Sequence, residues 1–253
     1  MIIDSFDPNS KPFITAEDFY GSMPRNGVIT LVTFKEKVVD YAKEKYGAKL
    51  TQSYKTTNGT QDIYSFDVEG KRYQIYCTGI GATLASILMK EVSVVTGSHK
   101  FIFFGSCGVL NEEACRGKII VPTSSYRDEG VSYHYMAPTD YVDIRNHYKI
   151  ETILKNKDIP YVAGPIWTTD AIYMETINKV NKHKEEGSIA VEMEVSGVEA
   201  VARYYDIDNY HILFSADSLG ALEKWERVDM GGDNELKLQI EAFEVALLIA
   251  QNL

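Results

Sequence analysis

An α/β layered fold is what the sequence predicts, on three observations. Apolar runs of strand length alternate with longer stretches of helical period from about residue 27 onward. Several of the apolar runs finish on glycine or small polar residues, where ligand-binding loops begin in such folds. No repeat, low-complexity tract or Pro/Gly-rich linker divides the 253 residues, of which 45% are hydrophobic. The chain therefore reads as one domain over 1–253, in which 1–26 form an N-terminal extension.

The elements follow in order. "GVITLV" (27–32) reads as a strand, and "KEKVVDYAKEKYG" as a helix stopped by Gly47. "DIYSFDVEGKRYQIYCTG" is a hairpin, two alternating runs around Glu69-Gly70. "ATLASILMKEVSVV" is helical, and "KFIFFG" is a buried strand ending at Gly105. "GKIIVP", "YVAGPIWTT", "SIAVEM" and "YHILFSAD" are further strands. "TINKVNKHKEEG" is a helix with His183 on its solvated face, whereas His211 lies inside a strand as a core residue. Another helix begins near Glu194, with Val195, Val198, Ala202 and Tyr205 at helical spacing, and "DNELKLQIEAFEVALLIAQNL" closes the pattern.

Asp and Glu outnumber Lys and Arg by 36 to 26, giving a net charge of −10 and a pI near 5.0. This balance argues against nucleic acid or an anionic membrane as partner, so an anionic ligand must be held by a local pocket. "FIFF" and "VALLIA" are far short of the roughly 20 residues that span a bilayer. The start has no basic stretch followed by an apolar core, so no signal peptide is expected. Cys77, Cys107 and Cys115 are odd in number and lack CxxC spacing, which predicts a reduced, cytoplasmic setting without disulfides. No His/Asp/Glu grouping has metal-ligand spacing, and no GxxxxGK[ST] is present, so no metal or cofactor is expected.

Chemistry concentrates where strands end. "CTGIGATLAS" places Gly79 and Gly81 between a strand and a helix, and "FFGSCGVL" places Gly105, Ser106 and Gly108 after the most apolar strand. Glycines there let backbone N–H groups approach an anion or a flat base, although a tight turn explains each loop taken alone. "AVEMEVSG" puts Glu192 and Glu194 two apart, on one side of an extended chain, with Met193 on the other. "SAD" (215–217) ends a strand on an aspartate.

The order "FFGSCGVL", "GKIIVPTSSYRDEGVSYHY", "TTDAIY", "VEMEVSGVEAVARYYDI", "LFSADSLG" resembles the nucleoside phosphorylase family of hexameric purine nucleoside phosphorylase and uridine phosphorylase. "VEME" followed by "SAD" at this distance is the most specific part. The resemblance implies a three-layer mixed sheet, partly closed into a barrel and flanked by helices, assembled as dimers, trimers or hexamers. It implies phosphorolysis of a nucleoside, with inorganic phosphate as co-substrate. Glu194 would accept hydrogen bonds from the ribose hydroxyls with Met193 beneath the sugar. Asp217 would serve N7 of a departing purine, with Arg227 in support. Cys107, Gly108, Glu192, Ile172 and Tyr173 would line the base, Ile172 standing where the family stacks an aromatic ring. Arg127, Asp128 and His134 would shape the pocket wall, with Tyr133 and Tyr135 as packing. The Gln…Arg pair that reads uracil is missing from "YMETINKVNK", which favours a purine.

The nucleophile end departs from the family. Where its motif reads Gly-Asp-Pro-x-Arg-x-Lys, this chain has "LVTFKEK", and Phe103 replaces a second arginine. Thr33, Lys35 and Ser106 remain as phosphate contacts. Nucleosidases of the same fold use water and a glutamate early in the first helix, where Glu36 aligns. Hydrolysis, uridine phosphorolysis and a non-catalytic nucleoside-binding or storage role are the alternatives.

Overall fold

A computed structural model describes residues 1–57, 59–219 and 233–253. In chain order the elements are α1 (Ala16–Tyr20), β1 (Asn26–Thr33), α2 (Glu36–Tyr46), β2 (Lys49–Thr56), β3 (Gly59–Val68), β4 (Lys71–Cys77), α3 (Ala82–Thr96) and β5 (Ser98–Val109). There follow α4 (Glu112–Cys115), β6 (Ile119–Asp128), α5 (Ser132–Tyr135), β7 (Tyr141–Asp143), α6 (His147–Asn156) and β8 (Tyr161–Thr169). The last are α7 (Ile177–Glu185), β9 (Ala190–Glu192), α8 (Val195–Tyr204), β10 (Asp208–Ser218) and α9 (Asp233–Asn252). Gly47 ends α2 in the left-handed region, as its lack of a Cβ permits, and Glu69 and Gly70 both take positive φ in the two-residue hairpin turn.

One mixed sheet runs β10-β6-β8-β9-β5-β1-β4-β3-β2, and β10 also pairs with β5. That second pairing closes β5, β10, β6, β8 and β9 into a five-stranded barrel, while β1, β4, β3 and β2 continue as an open sheet. Side chains from all five barrel strands, Cys107, Val109, Ile120, Ile166, Ala190 and Leu213, fill its interior with Val195 of α8. Outside it are two helical layers. Val38, Ile150, Phe243 and Leu247 of α2, α6 and α9 cover one face against Leu31, Ile102 and Ile212. Ala85, Met89, Val198 and Val201 of α3 and α8 cover the other against Val32, Phe101 and Phe103.

Four expectations change. β5 does not stop at Gly105 but runs to Val109, because β9 and β10 pair with its last residues from either side. The hairpin carries a further strand, β2, on its outer edge, and α6 lies between β7 and β8. His183 is buried, not solvated: α7 lays it against Trp167 and Tyr126, with ring centroids 4.3 and 4.6 Å away. His211, by contrast, is a core residue inside a strand as expected, stacked on Phe103, and burial pushes its pKa down to about 3.

The α3–α8 contact depends on Gly197, where a Cβ would lie 2.6 Å from the Ala82 Cβ. Gly197→Ala is expected to destabilise the protein by about 1–3 kcal/mol through overpacking, read as a lower urea midpoint at unchanged slope. An unaltered midpoint would contradict this packing role.

Candidate functional site

β1, β4, β5 and β10 are mutually parallel neighbours in the order β4-β1-β5-β10, so their carboxyl ends share one side of the sheet. Thr33 pairs with Cys77 there, and Gly108 pairs with Asp217 across a register shift in β10. On its other side Gly108 pairs with Val191 of β9. Asp217 and the start of "VEME" thus flank the same glycine, about 10 Å apart by two strand spacings.

β9 ends at Glu192, Met193 follows, and Glu194 is the N-cap of α8. The Glu194 side chain does not cap its own helix; its Oε1 accepts the Gly81 N–H at 2.6 Å. Gly81 holds φ +97°, a backbone conformation that favours glycine. The anion that this glycine loop approaches is therefore an internal carboxylate. Met193 and Glu194 are both partly exposed beside it. Burial raises the Glu194 pKa to about 7, opposed by the Gly81 hydrogen bond, with Asp170 raising it further.

Glu192 is buried, and both of its oxygens are engaged. Oε2 accepts the N–H groups of Glu194 at 2.7 Å and Val195 at 2.8 Å, and Oε1 accepts the Thr168 hydroxyl. Its side chain is thus turned into the protein, contrary to a side-chain contact with a base. Burial, then the charge of Glu194, raises its pKa, and these three donors oppose the rise. Below this pair Arg127 is buried and donates to Ser132, Ala137 and Thr139, which fixes the segment after β6. Asp128 accepts from Lys179 and from the Trp167 ring nitrogen.

On the opposite flank, Ser106 is exposed three residues before the end of β5, while Thr33 is buried and its hydroxyl accepts the Lys35 N–H at 3.3 Å. The Lys35 ammonium lies 3.4 Å from the buried Glu235 carboxylate, a partner with no signal in the sequence. Glu36 opens α2 and its carboxylate meets Cys77; burial first, then Glu36, pushes that thiol up to about 12. Phe103 packs into the α3–α8 layer.

Cys107 turns its thiol to the Phe214 carbonyl and packs inside the barrel, so it offers a ligand only its backbone. Ile172 and Tyr173 stand on a 3-10 turn after β8, Tyr173 97% exposed. Arg227 lies outside the described residues. Among the described residues no group of three or more His, Cys, Asp or Glu is arranged to hold a metal ion, and no helix is long and apolar enough to cross a membrane.

Residues 28–245 match the family model of the phosphorylase superfamily. The chain belongs to this superfamily. It is 29% identical over 167 residues to a purine nucleoside phosphorylase DeoD-type of Alkaliphilus metalliredigens, covering 64% of this chain and 72% of that one. It is 28% identical to a guanosine phosphorylase of Halorubrum lacusprofundi, covering 66% and 67%. Its fold matches a crystal structure of uridine phosphorylase from Vibrio fischeri with a TM-score of 0.72 at 20% identity, over 90% of this chain and 92% of that one. Its fold also matches a crystal structure of AMP nucleosidase from Bacteroides thetaiotaomicron with a TM-score of 0.61 at 20% identity, over 86% of this chain and 87% of that one.

Because the folded state raises the proton affinity of Glu192 and Glu194, their contribution favours folding at low pH and is lost as pH rises through about 7. Glu194→Gln keeps an acceptor for Gly81 but removes its charge. Its urea midpoint is expected to exceed the parent's by more at pH 8 than at pH 5. An equal difference at both values would exclude an ionisation with this shift.

Proposed function

We propose that the chain cleaves the N-glycosidic bond of a purine nucleoside and transfers the ribosyl group to inorganic phosphate. The observation that carries this reading is the carboxylate of Glu194, which lies three residues past Val191, the strand partner of Gly108, and is held by the Gly81 N–H. A partly exposed, oriented carboxylate accepts hydrogen bonds from the 2′- and 3′-hydroxyls, and its charge favours a sugar that becomes cationic. Met193 packs beneath the ring. As the bond from C1′ to the base breaks, its electron pair leaves with the base, and Asp217 supplies a proton to N7. A phosphate oxygen forms the new bond to C1′ while Ser106, Thr33 and Lys35 hold the anion. Gly108 and the backbone of Cys107 face the base, with Ile172 and Tyr173 at its edge. The reaction needs no cofactor. The names of the curated relatives, purine nucleoside and guanosine phosphorylase, support the purine and the phosphate.

Hydrolysis is the second reading, favoured by one observation: Lys35 is paired with Glu235, and Glu36 stands nearby on Cys77, so the nucleophile end carries carboxylates and no arginine of its own motif. Water needs no cationic cradle.

Product analysis on inosine, guanosine, adenosine and uridine, with and without phosphate, separates the two. Ribose 1-phosphate formed only with phosphate is expected. Free ribose regardless of phosphate would replace phosphorolysis by hydrolysis, and uridine as the preferred substrate would overturn the purine assignment. With inosine, Asp217→Asn is expected to lower kcat by about 10²–10⁴-fold; unchanged turnover would remove the leaving-group role.

A further inference from the structure

An α-helix opens with N–H groups that have no partner inside the helix, and the N-cap side chain ordinarily accepts one of them. In α8 that position is Glu194, and its side chain makes no such bond. Two residues from neighbouring strands do the capping instead. Glu192 at the end of β9 takes the N–H groups of Glu194 and Val195 on one oxygen. Thr168 of β8 takes the Ser196 N–H at 3.1 Å, donates to the other Glu192 oxygen, and is itself held by Ser125 at 2.6 Å. Three consecutive N–H groups are satisfied without the N-cap side chain. That side chain is left free to cross to Gly81.

We propose that Glu192 is a positioning residue: by capping α8 in place of Glu194, it releases the Glu194 carboxylate and fixes it on Gly81, facing the sugar. The positioning is a statement about this fold; its consequence for substrate rests on the ribose-holding role of Glu194. Without the Glu192 acceptor, the open N-terminus of α8 lies beside its own N-cap carboxylate, Glu194, whereas Glu129, the other carboxylate at this turn, is already held by the Ser196 hydroxyl and the Ser132 N–H. Glu194 then turns back onto its own helix and leaves the Gly81 N–H.

Amide hydrogen exchange and steady-state kinetics on Glu192→Ala, Glu194→Ala and the double variant test this. Glu192→Ala is expected to speed exchange of the Gly81 amide while the amides of β1 and β5 keep their protection. It is expected to lower kcat/KM for inosine about 10- to 100-fold, the range for a lost hydrogen bond to a charged group. The same substitution is expected to cost nothing further in the Glu194→Ala background and little on 2′,3′-dideoxyinosine. A Gly81 amide as protected in folded Glu192→Ala as in the parent would overturn the positioning. So would a full additional loss in the double variant. Undiminished inosine turnover in Glu194→Ala would instead reject the ribose reading, with Gly81 exchange still deciding the positioning. If Glu192→Ala does not fold, Glu192→Asp carries the same measurements, since its carboxylate falls one methylene short of the two N–H groups.

Discussion

A strand of three residues holds this architecture together. β9 pairs antiparallel with β5 and parallel with β8, and through it the barrel closes. All three of its residues are buried. Because it is so short, the chain passes almost at once from the barrel wall into the N-terminus of α8. Two carboxylates are thereby placed where little water reaches, which disfavours their charge. The same geometry supplies what offsets that cost: the open end of a helix, the Gly81 N–H and the Thr168 hydroxyl. A longer β9 would carry the glutamates past these donors, and a polar residue facing the barrel interior would lose its apolar lining.

The elements read correctly from the sequence were those with a local signal. Gly47 marks the end of α2, Glu69-Gly70 the hairpin, and the period of "ATLASILMKEVSVV" the helix α3. β2 had no such signal, because "KLTQSYKT" is an edge strand with no buried residue and so no apolar alternation to display. The extension of β5 past Gly105 depends on partners about 85 and 110 residues further on, which no local pattern reports. The burial of His183 has no sequence signal, because its neighbours in sequence are charged while its neighbours in space are Trp167 and Tyr126.

The site divides in the same way. Glu194, Met193 and the two glycine loops stand out as residue types placed at strand ends, and the fold brings them together. The function of the Glu192 side chain is not written in "VEME", since it depends on where α8 starts and on the register that sets Thr168 beside Glu192. Likewise Lys35 reads as a free cation in "TFKEK", although Glu235 of α9 neutralises it from the other end of the chain.

That last pair bears on how a phosphate would be held. Lys35 is 44% exposed in its side chain and Glu235 8%, so separating them leaves the burden on the buried carboxylate. Glu235 Oε1 also accepts from Gln239 at 2.7 Å. A pair exposed at both ends contributes only about 0–1 kcal/mol, but here the carboxylate is buried, so drawing Lys35 away costs more than breaking a surface pair. A phosphate dianion carries more charge than the Glu235 carboxylate and competes with it for Lys35. The missing arginines remove bidentate donors, which makes phosphate binding weaker and less directional. The Lys35–Glu235 pair adds to that loss. In the proposed reaction, the balance between phosphate and water at C1′ therefore rests both on what replaces the guanidinium forks and on the release of Lys35 from Glu235.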